Sequence, residues 1–197
     1  MLPPVCSVLR RWWKLKVPNS YKEAAWRLTL DAFPTAARMN TTNAACVACA
    51  HATPDVAHHF WSCPVAEAVR AEVEQQLMAF GMPPHGGRLA GSDIWLGCLP
   101  HVRVHRFVWD LVCLAVIHAM EIGRSAAWAV SLRGAAGQDV VCTVATKAAI
   151  AALWSALSDF AAVVRVSPGV RSQLVTHPFI SWHVIVQRGN GLRVVRR

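Results

Sequence analysis

Acidic residues are missing from both ends of this 197-residue chain. Residues 1–16 hold Arg10, Arg11, Lys14 and Lys16, and residues 160–197 hold Arg165, Arg171, Arg188, Arg193, Arg196 and Arg197, with no Asp or Glu in either stretch. The formal charge of +9 therefore sits at the two ends, since the middle carries ten basic against eleven acidic residues. Such an asymmetry fits a polyanionic partner at the ends and argues against one in the middle. A leader-like apolar run is also lacking, because Met1-Leu-Pro-Pro-Val-Cys-Ser-Val-Leu9 is too short and too broken for a signal peptide. The most apolar stretch, Phe107 to Ile122, is interrupted by Asp110, His118 and Glu121, which predicts a core helix and no membrane partner. No phosphate-cradling loop occurs, as Gly134-Ala-Ala-Gly137 is not followed by Lys-Ser/Thr. What the chain does have is apolar mass: 54% hydrophobic residues with nine Trp exclude general disorder.

The informative stretch is Cys46-Val-Ala-Cys49, then eight residues, then His58-His59-Phe-Trp-Ser-Cys63. C-x2-C places two thiolates on one tight turn, and H-x4-C adds an imidazole and a third thiolate from a second segment. Three Cys and one His complete a tetrahedral zinc site with no position left for water, which is a structural site rather than a catalytic one. Cys46, Cys49, His58 and Cys63 are the expected ligands of one structural Zn2+. His58 is preferred to His59 because Cys63 precedes Pro64, so the helix through His58 must end near Ser62 and let Cys63 swing back. On an unbroken helix His59 and Cys63 would share a face instead. His51 is a third, weaker candidate. Thr53-Pro54-Asp55 reads as the start of this helix and Pro64 as the first residue of the next, with Cys63 at its cap. The remaining thiols, Cys6, Cys98, Cys113 and Cys142, are expected to be reduced and buried, as in an intracellular protein of cytoplasm or nucleus.

The run Tyr21-Lys-Glu-Ala-Ala-Trp26-Arg-Leu28-Thr-Leu30-Asp-Ala-Phe33-Pro34-Thr35-Ala-Ala-Arg38, followed by Cys46-x2-Cys49, His58-x4-Cys63 and Pro64, resembles the zinc-binding reverse-transcriptase domain. That domain lies C-terminal to the polymerase in many non-LTR retrotransposon proteins. Its pattern is a Trp/Leu helix ending in Leu-Pro-Thr-x-x-Arg, then C-x2-C, then a His-x4-Cys-Pro helix. Phe33 stands where the family usually has Leu, and His59 where it usually has an apolar residue. The resemblance covers roughly residues 21 to 75, within the uncertainty of such boundaries. His177-Pro-Phe179 and the end of the chain carry a fainter echo of the same open reading frames.

Taken in order, residues 1–19 read as a basic and aromatic linker, in which Arg10-Arg-Trp-Trp-Lys14 is either a base-stacking segment or a tail whose Trp residues belong against an upstream domain. Residues 20–81 are the zinc-binding module, opened by a Ser20-x-x-Glu23 capping box and a helix with Trp26, Leu30 and Phe33 on its apolar face. Val65, Val69, Val73 and Leu77 predict a helix from Pro64 to Phe80, stopped by Gly81. Residues 82–94, with two Pro and three Gly, are the expected joint. Residues 95–197 are a helical region, with helices over about His101–Val130 and Thr143–Val164. The second of these has Ile150, Leu153, Trp154, Leu157 and Phe160 as its stripe. Asn190-Gly191 between β-branched runs predicts a C-terminal β-hairpin packed on the helices. The fold class is mainly α.

No catalytic constellation stands out, and the Tyr/Phe-x-Asp-Asp stretch that would hold polymerase metals is absent. Around the zinc motif, residues 41–81 carry Arg70 against Asp55, Glu67, Glu72 and Glu74, so the knuckle itself is not built to grip phosphates. The resemblance implies a structural zinc-binding accessory domain, not an enzyme, that assists RNA or DNA binding beside an upstream polymerase domain. Arg188, Arg193, Arg196 and Arg197 are the candidate nucleic-acid contacts. A protein-interaction module without nucleic-acid binding, and a decayed retroelement fragment, are the alternatives.

Overall fold

The computed structural model describes the backbone of residues 4–35, 45–102, 104–134, 137–166, 183–188 and 191–196, and side chains as far as Phe160. Among the described residues six α-helices form its body: α1 Val5–Trp13, α2 Asn19–Thr29, α3 Pro64–Ala79, α4 Gly91–Trp95, α5 Arg106–Leu132 and α6 Gln138–Val166. The long α5 is the axis. It is buried nearly all round between Val108 and Ile117, as its apolar run requires, and α2, α3, α4 and α6 all pack on it. The chain is mainly α. The class rests on the helices alone, and the C-terminal β-hairpin expected over residues 183–196 is not supported as part of this fold. How that expected hairpin sits against the helices falls outside the described residues, as do Arg38, His177-Pro-Phe179, Arg197 and the side chains of Arg188, Arg193 and Arg196.

Several local expectations are corrected. The stretch read as a linker contains α1, whose Val8 and Trp12 are buried and belong to the same core as α5. A buried carboxylate holds it there. Asp110, on α5 and 1% exposed, accepts from the Trp12 indole N–H at 3.0 Å and from Arg11 Nε at 2.6 Å. Gly97 makes room for this pair at φ +57°, since a Cβ there would stand 2.7 Å from the Arg11 guanidinium and 3.0 Å from Asp110 Oδ1.

Helix α2 starts at Asn19 behind Pro18 with no side-chain cap, so Ser20-x-x-Glu23 is not a capping box. It ends at Thr29, before Asp31 takes φ +49°. That turn carries Phe33 into the core, while Trp26 and Leu30 stay exposed. The buried face is Lys22, Ala24, Ala25 and Leu28. Small residues stand where the helices meet closely, and the large ones stay outside. The same substitution of small for large recurs on α6, whose sealed stripe is Val141, Ala145, Ala149, Leu153, Ala156 and Phe160, while Ile150, Trp154 and Leu157 are only half-buried. By length and apolar composition alone, Gln138–Phe160 is also the one helix among the described residues that could cross a membrane, which the sequence reading did not single out. Here its alanine stripe seals against α5 and α3.

Helix α3 follows expectation, with Pro64 in its first turn, Val65, Val69, Val73 and Leu77 buried and Gly81 at φ +65° beyond its end. It meets α5 and α6 at Gly123, where an added Cβ would lie 2.7 Å from Val65 Cγ1 and 2.8 Å from Ala149 Cβ. The segment 82–94 is laid against α3 by the Leu89 N–H, which donates to Glu74 Oε1 at 2.8 Å. It then opens α4 with the Ala90 N–H donating to Asp93 at 2.8 Å. Of the four other thiols only Cys113 is buried, whereas Cys98 and Cys142 are partly covered and Cys6 is exposed.

Candidate metal centre

Two short backbone devices build the site. In the first, the Cys49 and Ala50 N–H groups both donate to the Cys46 carbonyl, at 3.2 and 2.7 Å, and the Cys46 N–H donates to the His51 carbonyl at 2.8 Å. This tight knuckle needs Ala50 at φ +56°, a conformation that L-residues accept only where the surroundings impose it. In the second, Asp55 caps the helical segment by accepting from the His58 N–H at 2.6 Å, so the cap is Asp55 and not Thr53.

His58–Ser62 is a π-helical turn, closed by the Cys63 N–H donating to the His58 carbonyl at 2.8 Å. Cys63 is extended at φ −68°, ψ 137°, as Pro64 demands, and stands at the cap of α3. The π turn explains why a histidine five residues before Cys63 reaches it. An i to i+5 ladder puts residues five apart on one face, where an α-helix would favour four.

Cys46, Cys49, His58 and Cys63 bring one ligand atom each to within 4.8 Å of one another. Cys46 Sγ and Cys63 Sγ are 4.0 Å apart, and Cys49 Sγ lies 3.3 Å from His58 Nε2. Zinc–sulfur bonds of about 2.3 Å at tetrahedral angles put sulfurs about 3.8 Å apart, so the donor set fits zinc in both chemistry and size. All but Cys49 are buried. Each thiol also meets a backbone N–H that favours its thiolate: Ala48 at Cys46, His51 at Cys49 and Val65 at Cys63. The last of these is the N-terminus of α3, where a helix end favours negative charge.

Among the thiols themselves the electrostatics are in conflict. Cys46 is driven far down, chiefly by its hydrogen bond with Cys63. As that partner, Cys63 is pushed far up, with burial adding to the effect. Burial also raises Cys49. A dication coordinated by all three thiolates removes this conflict, because it supplies the charge for which one proton otherwise has to serve.

Residues around the four complete the arrangement, and sequence reasoning missed most of them. Ser62 Oγ is 3.3 Å from His58 Nδ1, which leaves Nε2 as the ligand atom facing Cys49. His51 stacks on the His58 ring at 4.3 Å, and His59 reaches Cys46 from outside the four. Phe33 and Phe60 pack beside the site with ring centroids 4.5 Å apart. Arg124 of α5 hydrogen-bonds the Pro34 carbonyl and interacts electrostatically with Cys46. Its guanidinium would offset the net negative charge that three thiolates leave on a bound zinc ion. No spacing in the sequence links Arg124 to the Cys motif, since the link runs through the packing of α5.

His101, His105 and His118 are not part of the grouped Cys and His residues among the described residues. Of the remaining candidates, Arg188, Arg193 and Arg196 are described by backbone only and Arg197 not at all.

Neither the search of curated proteins nor that of solved structures gives a match. Residues 4–69 match the family model described as zinc-binding in reverse transcriptase. The match takes in α1 as well as the knuckle and the π turn, and it ends inside α3. The four grouped Cys and His residues lie inside this matched segment, which is similar to the zinc-binding domain of reverse transcriptases.

Proposed function

We propose that the chain is a structural zinc-binding accessory module of a retroelement reverse transcriptase, acting beside a polymerase domain and assisting the binding of RNA or DNA through its basic ends. The observation that carries this reading is the closed four-residue site inside the matched segment. It offers no position for substrate, and it fixes the π turn and α3 against α5. Zinc bound by Cys46, Cys49, His58 and Cys63 stabilises the platform, and the cations outside the acidic knuckle are the natural phosphate contacts. Arg188, Arg193, Arg196 and Arg197 supply four of them. The test is a titration of labelled RNA and DNA against the full chain and against a chain with these four changed to Ala. Affinity for the wild type should fall with salt by a log–log slope of about −0.9 per contact on duplex DNA, and the variant should show a shallower slope. Salt-independent binding, or none, overturns the nucleic-acid role.

A second reading, a protein-interaction module, is favoured by the apolar side chains flanking the turn between α5 and α6. Trp128, Leu132, Val140 and Val144 are all exposed there. A partner chain covering them would protect the turn from proteolysis, and Leu132→Asp would abolish that protection without changing zinc content.

A further inference from the structure

Helix α1 has two apolar faces. Val8, Trp12 and Leu15 enter the core. Val5, Leu9 and Trp13, four residues apart, form a second stripe that the body does not cover, with Trp13 55% exposed. Trp26 of α2, 44% exposed, joins it. Leu9, Arg10, Trp13, Lys14 and Trp26 line one open cleft of about 400 Å3. Two large exposed indoles in one cleft are costly to leave in water and mark a contact surface. Its rim is cationic. Residues 1–22 hold Arg10, Arg11, Lys14, Lys16 and Lys22 and no acid. Arg11 is held by Asp110 and Lys22 is buried, its Nζ donating to the Trp13 carbonyl at 3.3 Å and lying 5.6 Å from that ring's centroid. Arg10, Lys14 and Lys16 are exposed and form no ion pair among the described residues.

We infer that the α1–α2 cleft is a binding site for single-stranded nucleic acid, in which unstacked bases lie on Trp13 and Trp26 and Arg10 and Lys14 take the phosphates. The inference rests on the nucleic-acid reading above and moves the base-contacting surface from the C-terminal arginines to the other end of the chain. Flat aromatic faces with flanking cations are what an unpaired strand requires. A duplex hides its base faces and would use only the charges. A lipid surface would use the same charges, but the uncovered apolar face is a single short stripe on a helix whose opposite face is committed to the core.

The experiment measures binding of the full zinc-loaded chain to a labelled 12-nucleotide single strand, the same strand with abasic sites, a duplex of equal length and anionic vesicles. It uses the wild type, Trp13→Ala with Trp26→Ala, and Arg193→Ala with Arg196→Ala. Circular dichroism and zinc content verify that the exposed Trp changes leave the fold intact. The wild type should bind the intact single strand at least about five-fold more tightly than the abasic one, and the double Trp variant should lose that preference. The salt slope on single strands should be roughly −1.4, for two phosphate contacts. Equal affinity for intact and abasic strands, with loss only in the arginine variant, overturns the cleft and leaves the nucleic-acid reading standing. Binding to none of the nucleic acids overturns both. Preference for vesicles over the single strand overturns the cleft's assignment to bases.

Discussion

Substituting Asp110 should be among the most damaging changes outside the zinc ligands. Its carboxylate is 1% exposed and receives two hydrogen bonds, from the Trp12 indole and from Arg11, whose side chain is 28% exposed. In Asp110→Ala the Trp12 N–H stays buried with no acceptor, which costs about 1–3 kcal/mol. Breaking a buried ion pair by removing one partner costs about 3–5 kcal/mol. Arg11 retains access to water and recovers part of its hydration, so the total belongs at the low end, about 3 kcal/mol. Asp110→Asn keeps the shape and an acceptor for Trp12 but turns an amide or an uncharged oxygen toward Arg11. It should cost about 2 kcal/mol. The assay is urea unfolding of zinc-loaded protein followed by far-UV circular dichroism, with the slope compared so that the loss is read as stability. Trp12→Phe should lose about 1 kcal/mol from its hydrogen bond and should cost little more in the Asp110→Ala background. A cost under about 0.5 kcal/mol for Asp110→Ala, where surface changes fall, would refute the idea that this pair ties α1 to the core.

Three further outcomes follow from the packing and the titrations. Gly123→Ala places a Cβ within 3 Å of Val65 and Ala149, and overpacking should cost about 1–3 kcal/mol in thermal or urea unfolding. Burial lowers the pKa of His118, so the unfolded chain binds a proton there more readily, and stability should fall as pH drops through about 6.5. His118→Leu should flatten that limb relative to the wild type, while an unchanged pH profile would show that the imidazole does not report on the fold. Cys142→Ser should leave zinc content unchanged, because Cys142 is not among the four grouped residues; loss of zinc in this variant would point to a different ligand set.

The metal motif was legible because its chemistry is local. Cys46, Cys49, His58 and Cys63 lie within one short stretch, and the Cys63-Pro64 bond dictates the break that turns Cys63 back toward His58. What the sequence did not disclose is that the break takes π geometry, since one extra residue in a turn leaves no compositional trace. Helix α3 was legible through its four Val and Leu positions. The faces of α2 and α6 were legible only in part: Phe33, Leu153 and Phe160 are buried as expected, but apolar bulk alone did not mark burial, because close helix contacts select Ala24, Ala25, Ala145 and Ala149. Asp110 looked like an interruption of an apolar run, and its partners at positions 11 and 12 are about a hundred residues away in sequence. Arg124 is hidden for the same reason. Pairings across that distance are decided by the packing of α1 and α5, and no local pattern encodes them.

Cys46, Cys49, His58 and Cys63 are proposed to hold one zinc ion. The most direct test is metal analysis, combined with cobalt substitution, of protein purified without chelator, in the wild type, His58→Ala and His59→Ala. The wild type should carry about one zinc per chain, and cobalt in its place should give the absorption of a tetrahedral thiolate site. His58→Ala should lose the metal or bind it far more weakly, and His59→Ala should keep it. A folded wild-type chain free of metal, or loss of zinc in His59→Ala with retention in His58→Ala, would contradict the account.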